Sequence, residues 1–255
     1  PFSARVITGL LGLDNELWPK VADLATKLGY VFSVTIKEDL PLIEEGLQGI
    51  LDISNELIRK SRLSSKDDFV GTLLKATLDG KAITDEELLS LVSLLIFAGF
   101  DTTRNQIGLG IKTFSKHPKQ WQLLGENPDL ARVAVEEIMR VNPTITWVSR
   151  ETSVDMEYKE LTIRAGTTIH LLTIPAGSDP RKFVNNEFDI TAERAPHFGF
   201  GGGMHHCIGH YVARLDMKEA FKALATRLPN MQVAPGDTYL PDSGNTGPTK
   251  MVISF

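Results

Sequence analysis

The sequence is short of several things. It has one cysteine among 255 residues, Cys207, so no disulfide can form within the chain, which suits a reducing compartment, the cytoplasm. Basic charge is not in excess: 27 Lys and Arg against 32 Asp and Glu give a net charge of −5, which argues against nucleic acid as the main partner. Long apolar runs are missing too. The longest, Leu88–Phe100, is broken by Ser90, Ser93 and Gly99 and ends against Asp101. It is too short for a membrane span. There is no repeat and no low-complexity segment. The 42% hydrophobic and 23% charged residues make a globular balance with enough apolar material for a substantial core. The chain opens at Pro1 inside a helical pattern, which predicts a further piece upstream.

What is present reads mostly as helix. Residues 4–11, 17–29 and 40–60 are amphipathic, with Pro19 and Pro41 in first-turn positions. Residues 61–68 are polar and predict a loop, and 69–78 a short helix closed by the turn pair Asp79-Gly80. Thr84 and Glu87 form a capping box for a helix running to about Lys116, before His117-Pro118. Its first half is apolar almost all round, which predicts burial. Asn127-Pro128 opens another helix ending near Arg140. Strands are predicted at Thr144–Val148, Met156–Tyr158, Leu161–Ile163 and Thr168–Leu172, with Ala165-Gly166 as a turn. A glycine-rich loop at 199–209 precedes an amphipathic helix over about 209–228, with Met217, Ala220, Phe221 and Leu224 on one face. The tail, 230–255, predicts a small hairpin. The class is mainly α with small β-sheets.

The chemistry concentrates at Phe200-Gly201-Gly202-Gly203-Met204-His205-His206-Cys207-Ile208-Gly209. A flexible surface loop, a zinc site and a cysteine nucleophile are the alternatives to weigh. Zinc fits poorly, because adjacent residues rarely converge tetrahedrally on one ion and no second cysteine exists. A nucleophile paired with His205 or His206 fits poorly as well, because such partners are assembled across a fold. A haem fits better. Glycines let a flat macrocycle approach the backbone, and a thiolate just before a helix N-terminus is stabilised by its free N–H groups and dipole. A thiolate axial ligand also favours O–O cleavage.

Two further groups stand out. In Ala98-Gly99-Phe100-Asp101-Thr102-Thr103, a mid-helix threonine can bond the carbonyl four residues back, here Ala98. Gly99 leaves room beside it, so the helix wall can hold a notch for dioxygen and a water. Thr102 can organise that water and Asp101 can link it to bulk solvent. Glu137 and Arg140, three apart, put opposite charges on one helical face, which by itself reads as an exposed pair.

Together these segments resemble the cytochrome P450 family. The cysteine loop matches the family's Phe-Gly-x-Gly-x-His/Arg-x-Cys-x-Gly at every fixed position, and the helix segment its Ala-Gly-x-Asp-Thr-Thr. Glu137-Ile138-Met139-Arg140 is similar to its Glu-x-x-Arg. The resemblance covers the whole chain as one domain over 1–255, the C-terminal two-thirds of a cytochrome P450 fold. It implies haem b (iron protoporphyrin IX) with Cys207 as the axial iron ligand. It implies His205 and Arg150 at the propionates, Phe200 against the thiolate side, and Gly201, Gly209 and Ala98 against the cofactor. Asp101 and Thr102 would deliver protons. Glu137 and Arg140 would be structural, with Glu187 at the aligned third position of their network. Arg214 would lie on the face where redox partners dock.

The same resemblance directs Leu94, Phe97, Ile145, Thr146, Val148, Asn245 and Thr246 toward substrate. Most of them are apolar, so a small, mostly apolar organic substrate is expected. The implied reaction places one oxygen atom of O2 in that substrate and the other in water. Electrons would come from a ferredoxin or a flavoprotein reductase. No nucleic acid and no membrane span take part. The family's first third has no counterpart here, which leaves a truncated or non-catalytic haem-binding fragment as the alternative.

Overall fold

Several helices begin at a first-turn proline or a capping side chain. The structure, a computed structural model, describes residues 1–64, 68–78, 81–240 and 243–255. Asp79-Gly80 and part of the polar stretch 61–68 lie outside the described residues. The chain divides into two compact units, Pro1–Asn105 and Gln106–Phe255.

The first unit contains α1 (Phe2–Leu11), α2 (Trp18–Gly29), α3 (Leu40–Leu63), α4 (Phe69–Leu74), the antiparallel pair β1 (Thr77–Leu78) and β2 (Lys81–Ala82), and most of α5 (Asp85–Lys116). Asp68 caps α4 by accepting the Gly71 N–H at 2.7 Å. The predicted capping box opens α5: Thr84 N–H donates to Glu87 Oε2 at 2.7 Å and Glu87 N–H to Thr84 Oγ1 at 3.2 Å. Three acidic residues in the first turn and Lys116 in the last complement the helix dipole. Leu88, Val92, Ile96 and Phe100 recur every fourth residue on one face of α5. They pack with Ile7 and Leu11 of α1, Val21 and Leu24 of α2 and Ile50 and Leu57 of α3.

Burial of α5 is one-sided rather than complete. Leu94 is 57% exposed and Ala98 is exposed as well. The all-round apolar pattern is therefore not a sign of a fully enclosed helix. One stripe belongs to the core and another faces outward.

The second unit holds the end of α5, then α6 (Pro118–Glu126), α7 (Ala131–Val141), β3 (Trp147–Glu151), β4 (Met156–Tyr158), β5 (Leu161–Ile163), β6 (Thr168–Leu172), α8 (Thr173–Gly177), α9 (His210–Arg227), β7 (Gln232–Val233), β8 (Thr238–Tyr239), β9 (Pro248–Lys250) and β10 (Ile253–Ser254). Its strands pair antiparallel as β3–β6, β4–β5, β8–β9 and β7–β10. Helix α6 was not predicted. Its buried apolar residues are only Trp121 and Leu124, too few to produce a periodic signal. The predicted strand 144–148 is displaced to Trp147–Glu151, because its first residues pair elsewhere. Ile145 bridges Asn245, Thr146 N–H donates to Gly244 O, and Thr246 N–H donates to Thr144 O.

The core of this unit centres on Phe114, whose ring meets Trp121, Phe188 and Phe221 at centroid distances of 4.9, 5.4 and 5.8 Å. Trp121 Nε1–H reaches the Leu228 carbonyl at 2.8 Å, tying α6 to the end of α9.

Glu137 and Arg140 on α7 are not an exposed pair. Each side chain is 1% exposed, and Arg140 Nε and Nη2 donate to the two Glu137 oxygens at 2.8 and 2.7 Å. Arg140 also donates to the carbonyls of Gly177, Asn186 and Glu187. A side chain at Gly177 would collide with the Arg140 carbonyl. The third charged member is Arg194, not Glu187. Arg194 Nη2 lies 3.3 Å from Glu137 Oε1 and 2.8 Å from the Glu187 carbonyl. Glu187 contributes its backbone, so its side-chain type matters little there. Among the described residues, no helix is long and apolar enough to cross a membrane.

Two outcomes follow from these buried charges. Glu137→Gln leaves Arg140 and Arg194 without their anion and should cost about 3–5 kcal/mol in denaturant unfolding; a loss below about 1 kcal/mol would contradict the network's anchoring role. Asp216, buried on α9, has its carboxyl pushed up to about 6 by burial. The unfolded chain releases that proton nearer the ordinary carboxylate value, so stability falls as pH rises through this window and the full penalty is present above it. Asp216→Asn should therefore stabilise by about 1–3 kcal/mol at neutral pH, and the gain should vanish near pH ~4. Thermal melts at the two pH values decide it, and a gain independent of pH would contradict the assignment.

Candidate functional site

The cysteine loop is shaped by its own backbone. Gly201 and Gly203 have φ values of 72° and 64°, left-handed angles that other residues adopt only with strain. The Gly201 N–H donates to Phe198 O, and the Cys207 N–H donates to Phe200 O at 2.9 Å. Residues 203–205 form a single 3₁₀ turn. Helix α9 starts at His210, and the His210 N–H donates to the Cys207 carbonyl. Cys207 therefore stands immediately before a helix N-terminus, as expected, and its side chain is half-buried. A Cβ added at Gly209 would meet Cys207 Sγ at 4.0 Å, an ordinary contact distance.

Several apolar side chains of this loop and of the start of α9 are uncovered. Met204 is 96% exposed and Ile208 82%, with Phe198, Tyr211 and Leu215 also exposed. His205 is exposed too. Among the described residues, no three His, Cys, Asp or Glu gather as a multidentate ion site, so Cys207 offers a single soft donor. One thiolate amid uncovered apolar surface fits a large apolar group ligated axially. It does not fit a bare ion that needs a full protein shell.

Behind the loop lies a charged cluster that sequence reasoning missed. Glu136 on α7 accepts from Arg214 Nε and Nη2 at 2.6 and 3.0 Å and from His197 Nε2 at 3.1 Å. Burial alone would raise its carboxyl, but the hydrogen bonds from His197 and Arg214 prevail and hold it at about 2. The Arg214 guanidinium sits 4.3 Å from the centre of the Phe200 ring. It also bonds His210 Nδ1 at 2.6 Å. Arg214 is thus partly enclosed and fully engaged. The one sequence signal for this cluster was the adjacency of two glutamates in α7.

Arg150 lies on β3 opposite Ile169 of β6, exposed, with Nη1 donating to the neighbouring Ser149 carbonyl at 2.8 Å. Among the residues expected near substrate, Ile145 and Thr146 are brought against Asn245 and Thr246 by the backbone pairing above, and Thr146 Oγ1 donates to the Ser243 carbonyl at 2.7 Å. Asn245 is buried, with Oδ1 accepting from Thr144 Oγ1 at 2.9 Å. Val148 follows on β3, half-buried.

In the first unit, Thr102 Oγ1 donates to the Ala98 carbonyl at 2.8 Å, the expected back-bond. The room beside it does not come from Gly99, because a side chain there would press into Ile7 of α1, with Cδ1 2.6 Å away. Gly99 instead lets α1 approach α5. Ala98 and Leu94 are exposed one and two turns before Thr102. Phe97 is half-buried and stacks on Phe32 at 6.0 Å. Asp101 is 1% exposed and accepts from Arg104 Nη2 at 2.6 Å and Asn105 Nδ2 at 3.1 Å. Its contact with bulk solvent is therefore not direct. Arg104, which pairs with it, is part-exposed.

Comparison with known proteins bears on these residues as a set. The Cytochrome P450 family model matches residues 13–246. The chain is 36% identical over 259 aligned positions to Luteothin monooxygenase of Streptomyces thioluteus, covering 100% of this chain and 64% of that protein. It is 33% identical to Biotin biosynthesis cytochrome P450 of Bacillus subtilis (strain 168), covering 92% of this chain and 60% of the relative. Among solved structures, it superposes with a TM-score of 0.90 and 32% identity on P450BioI in complex with acyl carrier protein ligated with hexadec-9Z-enoic acid. That match covers 99% of this chain and 66% of the other. The chain thus spans less than two thirds of the length of these curated relatives, and over nearly all of its own length it belongs to the cytochrome P450 family, whose cofactor is haem b.

Proposed function

We propose that this chain carries the oxygen-activating part of a haem-thiolate monooxygenase, with Cys207 as the residue that would ligate the iron. Its two units would act as one domain over 1–255. The observation that carries the reading is the cysteine loop: a half-buried thiol before α9, fixed by its N–H to Phe200 O and surrounded by uncovered apolar side chains. Thiolate-bound haem iron, when present, supplies O2 binding and O–O cleavage. The rest is done by the chain's own residues.

Cys207 supplies an anion whose charge the α9 N-terminus favours. Gly201, Gly209 and Ala98 carry little bulk and permit close approach of a flat group. Phe200 covers the thiolate side. His205 and Arg150, both exposed, supply donors suited to propionate carboxylates. Thr102 spends its hydroxyl proton on Ala98 O, so its oxygen is left as an acceptor that orients a water. Asp101, held in place by Arg104 and Asn105, would pass protons toward that water.

An apolar substrate is supported by the character of Leu94, Phe97, Ile145 and Val148, with Thr146, Asn245 and Thr246 adding a few polar atoms. The acyl chain carried in the P450BioI complex has this chemistry. Electrons would reach the site from a ferredoxin or flavoprotein reductase, in the cytoplasm.

A spectrum tests the thiolate assignment. Haem-loaded protein should give the red-shifted ferrous–carbonyl Soret band of thiolate ligation, and Cys207→Ala should abolish it, since no second thiol can substitute. An unshifted band in folded wild-type protein would refute the thiolate assignment. For Thr102→Ala, reduced nicotinamide consumption should continue while product per nicotinamide falls about tenfold and peroxide rises, as expected when a proton-positioning group is lost. Unchanged coupling would leave the Thr102 back-bond a purely structural feature.

A further inference from the structure

Successive residues of an α-helix point about 100° apart, and α7 uses this to send two adjacent carboxylates to two different segments. Glu137 serves the segment before the cysteine loop, through Arg140, Arg194 and the Asp189 N–H. Glu136 serves the loop itself. Its partners, His197 and Arg214, flank Cys207 at both ends of the loop. Each partner also touches the loop. His197 Nδ1 accepts the Gly199 N–H at 3.0 Å while Nε2 faces Glu136, an arrangement satisfied by the neutral Nε2–H tautomer. Arg214 lies over the Phe200 ring, and the Phe200 carbonyl receives the Cys207 N–H.

We infer that Glu136 is a positioning residue for Cys207: a single carboxylate closes the loop from His197 to Arg214 at both ends, and through Arg214 and Phe200 sets how far the thiol is presented. The geometry stands without haem. Its consequence for the iron rests on the reading of Cys207 as ligand. Arginine suits this position because its fork grips both carboxylate oxygens while its plane lies on an aromatic ring. The loop between the two anchors is rich in glycine, and few contacts of its own oppose opening.

Cys207 is the one thiol of the chain, so its modification rate by dithionitrobenzoate in the native protein reads the loop directly. Glu136→Ala should speed modification about tenfold while circular dichroism stays folded, because a clamped loop becomes a locally opening one. The charge swap Glu136→Arg with Arg214→Glu should bring the rate back to within about threefold of wild type, whereas Glu136→Arg alone should not. A folded Glu136→Ala protein with a wild-type rate would overturn the inference, and so would a swap no better than the single change. Should Glu136→Ala fail to fold, Arg214→Lys replaces it. Lysine keeps the charge but not the fork, and the same acceleration is expected, with an unchanged rate counting against the clamp.

In haem-loaded protein, Glu136→Ala should raise the unshifted fraction of the ferrous–carbonyl band relative to wild type. If wild type itself shows no thiolate band, the functional reading fails while the thiol rates still judge the clamp.

Discussion

Glu137 is a carboxylate with almost no access to water, and the irregular segment between Gly177 and Arg194 depends on it. A buried anion is tolerable only when its oxygens are filled by donors of opposite charge in good geometry. Here Arg140 fills both oxygens from the same helix, Arg194 approaches from the far end of the segment, and the Asp189 N–H completes the shell. Arg140 in turn has donors to spare, and it places them on the carbonyls of Gly177, Asn186 and Glu187. A stretch with little regular structure is thereby fixed to a rigid helix. Neutral residues of equal size would satisfy volume but not those carbonyls, which would then be buried unpaired.

The neighbouring Glu136 extends the same logic to the cysteine loop, with a difference of degree. It is partly exposed, and its partners are His197 and Arg214 rather than an enclosed arginine pair. The loop it holds must do two opposed things. It needs left-handed glycine turns to give a flat group access, and it needs a fixed thiol. Glycine supplies the first at an entropic cost. The hydrogen-bonded anchors at the two ends and the Phe200–Cys207 backbone bond supply the second.

Apolar surface left open is the other mark of this chain. Met204, Ile208 and Tyr211 around the thiol and Leu94 and Ala98 on α5 are uncovered within their own units. Clusters of exposed apolar side chains usually mark an interaction surface.

By itself the sequence determined whatever depends on neighbours along the chain. The capping box at Thr84 and Glu87, the Thr102 back-bond to Ala98, the start of α9 after Cys207 and the strands at 156–158, 161–163 and 168–172 are all local, and the cysteine loop announces itself by residue type. Tertiary structure alone decided what depends on distant partners. Residues 144–146 are extended, but the C-terminal segment captures them, so the predicted strand shifts. Gly99 looks like space beside Thr102 until Ile7 of α1 fills it. Glu137 and Arg140 look like a surface pair until their burial and Arg194, more than fifty residues on, turn them into an anchor. Glu136 carried no signal of its own, because a carboxylate's role is set by which cations reach it. The physical reason is common to all four: spacing fixes the direction in which a side chain leaves the backbone, but only packing sets the dielectric and the partners it meets there.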